Sequence, residues 1–196
     1  MWRFRETDTG KLAGKMKVIF LDHDGVICLA DQWGGRYKKK GYDNNPETPM
    51  DIRMDSFDKK AVNVLNKIID KSGCEIVISS DWKRWGTLEQ IQEMYRTRGI
   101  KEPIGLTPFF SDLLKEKKVP LAAEFTMSDS LEIERHYEIL DWLKNHPEVT
   151  HWVSVDDLDM SKRDWWGLEN FVLCKRPHRE GIKQCGLKDK ILEYLL

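Results

Sequence analysis

Residues 17–26 read KVIFLDHDGV, and this stretch decides the fold. Lys17–Leu21 is an apolar run of strand length, and Asp22, His23, Asp24 and Gly25 stop it with turn-forming types. A short strand that is apolar throughout belongs to a sheet buried on both faces. The same design recurs downstream. Glu75–Ser79 (EIVIS) runs into Ser80, and His151–Val155 (HWVSV) runs into Asp156 and Asp157. Ile104–Leu106 reads as a short third strand and Phe171–Cys174 as the last.

Helical spacing fills the gaps between these runs. Phe57, Ala61, Val62, Leu65, Ile68 and Ile69 mark one helix, closed by Gly73. Leu88, Ile91, Met94 and Tyr95 mark a second, opened by Thr87 and ended by Gly99. Ile139, Leu140 and Leu143 give the apolar side of a helix over 131–145, and 187–196 reads as a terminal helix. Strands alternating with helices predict an α/β fold: a doubly wound, mostly parallel, five-stranded Rossmann-like sheet with helices on both faces. Residues 1–15 are expected to be a flexible leader and 16–196 a single domain. Two polar stretches, 28–56 and 107–130, interrupt the pattern and read as loops or small insertions.

The chain has 196 residues, with 32 basic against 33 acidic side chains and a net charge of -1. No global field draws it to nucleic acid or membrane, so any such attraction must come from a local patch. No apolar run reaches the roughly 20 residues of a membrane span, and the first 15 residues lack the apolar block of a signal peptide. Cys28, Cys74, Cys174 and Cys185 form no CxxC pair, and buried thiols are expected. These features predict a cytoplasmic protein with no membrane association and no obligate protein partner.

Ligands of open parallel sheets bind beyond the carboxyl ends of the strands. Here those ends carry Asp22 and Asp24, then Ser79 and Ser80, then Asp156, Asp157 and Asp159. Two carboxylates at ~4 Å repel by about 4 kcal/mol at an effective dielectric of ~20. A hard divalent cation relieves that repulsion. Magnesium suits a few carboxylates, waters and a substrate phosphate, and no His or Cys cluster competes for a softer metal. The constellation therefore predicts magnesium and a phosphate. Asp159 reads as a turn residue. Gly10–Met16 suggests a phosphate loop but lacks its hydroxyl residue, and Ile133-Glu134-Arg135-His136 is not a zinc motif. Trp82, Trp85, Trp165 and Trp166 suit either core packing or base stacking. Lys38–Lys40 and Lys115–Lys118 read as solvated, although the first would guide a polyanion if it lay beside the crevice.

The residues also carry a resemblance. Asp22-His23-Asp24-Gly25-Val26 after a strand resembles the DxDG[TV] motif of the haloacid dehalogenase (HAD) superfamily. Ile76-Val77-Ile78-Ser79 resembles its second motif, and Val155-Asp156-Asp157 its fourth. Arg135 is the choice for the third motif, a basic residue ahead of that last strand, with Lys83 and Arg84 as rivals. More narrowly, FLDHDGVI, IVISSDWKRW, IGLTP, Arg135 with Glu138-Ile139 and Trp142-Leu143, and VSVDDLD are similar to HAD domains of Swiss Army Knife RNA repair proteins and phage homologues.

The resemblance implies a phosphatase. Asp22 would attack phosphorus and form an aspartyl-phosphate. Asp24 would protonate the leaving oxygen and then activate water. Asp22, the Asp24 carbonyl and Asp156 would hold magnesium, supported by Asp157. Ser79, with Ser80 as the alternative, and Arg135 would hold the phosphoryl oxygens. Gly25 permits a tight turn that presents N–H groups to an anion. The insertions are short for a full HAD cap, which together with the repair resemblance favours a nucleic-acid 3′-phosphate end or a nucleotide as substrate. Two other functions compete. One is a receiver-like phosphoacceptor domain, which would not need Asp24. The other is an inert nucleotide- or nucleic-acid-binding module.

Overall fold

The computed structural model describes residues 15–29, 57–119, 130–163, 166–175 and 179–196. The expected leader (apart from Lys15), residues 30–56 of the first insertion and 120–129 of the second lie outside these, as do Lys38–Lys40 and Trp165.

Five strands are described: β1 (Met16–Leu21), β2 (Glu75–Ile78), β3 (Gly105–Leu106), β4 (Val149–Asp156) and β5 (Phe171–Leu173). They pair in the order β3-β2-β1-β4-β5, every neighbour parallel. Strand β1 is central, which explains its unbroken apolar run. Ile19 and Leu21 face one side and Val18 and Phe20 the other, and all four are fully buried.

On the Ile19 side lie α1 (Lys59–Ser72), α2 (Leu88–Thr97) and α5 (Leu187–Leu195). Helix α1 begins where the Asp58 side chain accepts the Ala61 N–H (2.8 Å) and ends at Gly73. It buries Ala61, Val62, Leu65, Ile68 and Ile69 against Ile76, Ile78, Val153 and Val155. Each of these Val, Leu and Ile side chains contributes about 1.5–3 kcal/mol. Thr87 and Gln90 form a reciprocal capping box at the start of α2. On the Phe20 side lies α4 (Ser130–Lys144), packed through Ile133, Ile139 and Trp142, whose indole meets Phe20 edge-on at 5.4 Å.

The sequence reading needs two corrections here. Leu140 is 40% exposed rather than facing the sheet, because the buried stripe of α4 runs through Ile133, His136, Ile139 and Trp142 and leaves 140 on its edge. The stretch read as irregular over 107–130 contains a helix, α3 (Phe110–Lys115). Cys28, Cys74 and Cys174 are buried and Cys185 is exposed. Among the described residues no helix is long and apolar enough to cross a membrane.

Candidate active site

The parallel ladder runs one residue beyond the strands and lines their carboxyl ends up at one edge. The Asp22 N–H donates to the Val155 carbonyl (3.1 Å) and the Ser79 N–H to the Leu21 carbonyl (3.0 Å). The Thr107 N–H donates to Ile78 (2.9 Å), and the Cys174 N–H to Asp156 (2.8 Å). Asp22, Ser79, Thr107 and Asp156 therefore stand side by side although they come from four segments. After Asp22 the chain folds back tightly. The His23 carbonyl accepts N–H bonds from Val26, Ile27 and Cys28 at 3.2, 3.0 and 2.7 Å, with Gly25 left-handed at φ 74°.

The carboxylates of Asp22, Asp156 and Asp157 bring ligand oxygens within 4.8 Å of one another. Asp22 and Asp156 are buried and Asp157 is half-buried. Burial and the Asp156 charge raise the pKa of Asp22 well above the usual carboxylate range, against the pull of Arg135. Burial also raises Asp156, and burial plus Asp156 pushes Asp157 up to about 7. Three carboxyls that resist ionisation in a dry site fit a hard cation, which would supply the charge they lack. Among the described residues the Asp24 carboxylate is outside this trio.

One guanidinium answers the trio. Arg135 Nη1 lies 2.7 Å from Asp156 Oδ2 and 3.2 Å from Asp22 Oδ1, and Nη2 lies 4.0 Å from Asp81 Oδ2. Burial opposes its charge, but Asp156 and Asp22 override that and hold it firmly protonated. The rival bases sit elsewhere. Lys83 is buried and spends its three N–H donors on Glu138 (2.5 Å), the Pro108 carbonyl (2.8 Å) and the Thr107 hydroxyl (3.0 Å). Arg84 is half exposed, pairs with Asp81 and stacks over Phe109. The two serines also separate. Ser80 Oγ accepts the Trp82 N–H (3.4 Å) as the cap of a single 3₁₀ turn, Asp81–Arg84. Ser79 Oγ is buried with no hydrogen-bond partner among the described residues, as suits a hydroxyl that meets a ligand. Asp159 caps its own turn, accepting the Ser161 N–H at 3.0 Å.

Two contacts were not foreseen. The Trp82 indole N–H donates to Asp24 Oδ2 at 2.9 Å, and the Tyr95 hydroxyl bonds His23 Nε2 at 2.9 Å. Nothing in local spacing announces either, because the partners lie 58 and 72 residues apart. Trp82 and Trp166 are buried and unavailable for base stacking, whereas Trp85 is 49% exposed.

The sequence pattern of the HAD domain in Swiss Army Knife RNA repair proteins matches residues 18–184. No curated protein and no solved structure matches the chain.

Proposed function

This chain belongs to the family of HAD domains found in Swiss Army Knife RNA repair proteins, and from that premise we propose that it is a magnesium-dependent phosphomonoesterase working through an aspartyl-phosphate. The family supports a HAD-type phosphatase in general terms. The observation that carries the finer reading is the meeting of the Asp22, Asp156 and Asp157 carboxylates with Arg135.

In this reading Asp22, the Asp24 carbonyl and Asp156 would hold the ion, with Asp157 in support. Bound magnesium would supply charge neutralisation and Lewis acidity at the phosphoryl group. The chain's own groups do the rest. An Asp22 oxygen forms a bond to phosphorus while the ester P–O bond breaks, and Asp24 gives its proton to the departing oxygen. Asp24, now a carboxylate, takes a proton from water as the water oxygen bonds phosphorus and the Asp22–phosphorus bond breaks. Phosphate leaves and both acids are restored. Arg135 and Ser79 hold the non-bridging oxygens throughout, and fixed donors of this kind make up most of phosphoryl-transfer catalysis.

The proposed substrate is a nucleic-acid 3′-phosphate end or a nucleotide. The repair context of the family and the shortness of both insertions support it, as does a half-exposed Trp85 following the 3₁₀ turn that Ser80 caps. The test is a panel of 3′-phosphorylated oligonucleotides, 5′-phosphorylated oligonucleotides, mononucleotides and sugar phosphates, with magnesium and with chelator. Preference for a 3′-phosphate or nucleotide, silenced by chelation, is expected. Asp22→Asn should abolish turnover with the fold intact, and activity within about tenfold of wild type would refute the nucleophile. A phosphorylated protein that persists without turnover would mark a receiver-like domain instead.

A further inference from the structure

Trp82 touches the proposed proton donor and holds it by one oxygen. Its indole N–H lies 2.9 Å from Asp24 Oδ2. The indole is buried and cannot swing away. It stacks on the His23 ring at 4.3 Å and 2°, and Phe57 closes edge-on at 5.7 Å. His23 is itself fixed by the Tyr95 hydroxyl at 2.9 Å, with the Phe57 and Tyr95 rings edge-on to it. A chain of contacts thus runs from Tyr95 through His23 and Trp82 to Asp24. The middle residue of Asp22-His23-Asp24 anchors the aromatic that anchors Asp24.

We propose that Trp82 is a positioning residue that sets the orientation in which the Asp24 carboxyl meets the leaving group, an inference that rests on the phosphatase reading above. An indole N–H donates and never accepts. It therefore pins Oδ2 as an acceptor and fixes the plane of the Asp24 carboxyl. The same bond removes rotational freedom from a half-buried carboxyl, and misplacing a catalytic group by ~1 Å costs on the order of 100-fold in rate.

Trp82→Phe keeps a ring against His23 and removes the donor, and the cavity left by the smaller ring acts equally on both substrates. The readout is kcat/KM, which reports formation of the phosphoenzyme, on two esters. An aryl ester such as p-nitrophenyl phosphate has a leaving group that needs little protonation, whereas a nucleoside 3′-monophosphate expels an alkoxide that does. General acids contribute on the order of 100-fold or more. The variant should therefore lose roughly 30-fold or more on the nucleotide and less than about threefold on the aryl ester. An equal loss on both makes Trp82 merely structural and overturns the proposal. A wild-type enzyme inactive with magnesium on both esters and on 3′-phosphorylated oligonucleotides sinks the phosphatase reading, and this inference with it. A second measurement needs no turnover and no folded Trp82 variant. In protein labelled with nitrogen-15 at the tryptophan indoles, one N–H resonance should move upfield by several tenths of a ppm in Asp24→Ala. If every indole resonance stays in place, the contact does not exist in solution and the proposal falls.

Discussion

Replacing Lys83 by methionine should destabilise the fold by about 3–5 kcal/mol, because it strands a buried charge. The Lys83 ammonium and the Glu138 carboxylate meet at 2.5 Å with both side chains almost wholly inaccessible. Burial pushes the Lys83 pKa below its usual value, and Glu138 works against that shift. Glu138 has a second task, since its Oε1 accepts the Phe110 N–H (2.9 Å) at the start of α3. Methionine matches the length of the lysine stem but leaves Glu138 Oε2 without its cation and leaves Thr107 and Pro108 without a donor. For a chain of this size, such a loss lowers Tm by roughly 6–20 °C at about 2–4 °C per kcal/mol. The assay is urea unfolding at pH 7 with magnesium held constant, alongside Glu102→Gln as a control. Glu102 pairs with Arg96 at the surface (2.8 Å), where solvent screens the pair and its loss changes stability little. The double variant Lys83→Met/Glu138→Gln removes both charges and should recover part of the loss. If Lys83→Met costs no more than Glu102→Gln, the pair is not sealed from water and the reasoning fails.

Three further outcomes follow from the same geometry. Burial lowers the His23 pKa to about 3, so below pH 6.5 the unfolded chain takes the proton first and stability falls with pH, by about 2 kcal/mol at pH 5. Asp157, raised to about 7, has the opposite slope between about pH 4 and 7, so the His23 effect is read as the difference between wild type and His23→Gln in urea unfolding; a pH-independent difference would refute it. Magnesium should raise Tm more at pH 8 than at pH 5.5, because the proton that Asp157 holds below about pH 7 must leave before the ion enters, and equal thermal shifts at the two pH values would refute proton-linked binding. Gly181→Ala should cost about 2–4 kcal/mol in denaturant unfolding, since φ is 49° and a Cβ would lie 2.3 Å from the Val26 carbonyl oxygen; a loss under about 1 kcal/mol would show that the two segments separate easily.

The sheet was legible because its strands advertise themselves twice, as short apolar runs and as runs stopped by polar residues at one end. That second signal also located Asp22, Ser79 and Asp156, since parallel strands bring all their carboxyl ends to the same edge. Rivals that sequence left level were separated by neighbours it does not record. Ser79 and Ser80 are adjacent and chemically alike, but one caps a turn and the other has no partner among the described residues. Lys83 reads as a rival base for the phosphate, yet Glu138, 55 residues away, draws it inside. Arg135 shares a helix with Glu138, and only the seating of that helix on the sheet turns one toward Asp156 and the other toward Lys83. Helix α3 was missed because its six residues carry little periodicity, and part of what starts it is the distant Glu138 carboxylate.

The Asp22 turn also has a late-arriving support. Ile182 donates its N–H to the Val26 carbonyl at 3.0 Å, and Gly181 packs so closely on Gly25 and Val26 that no side chain fits between. These residues follow the last strand, so a chain emerging from the ribosome exposes the strand ahead of Asp22 long before the segment that braces the turn behind it. A nascent chain halted before residue 181 would have every proposed catalytic side chain and an unbraced loop to carry them.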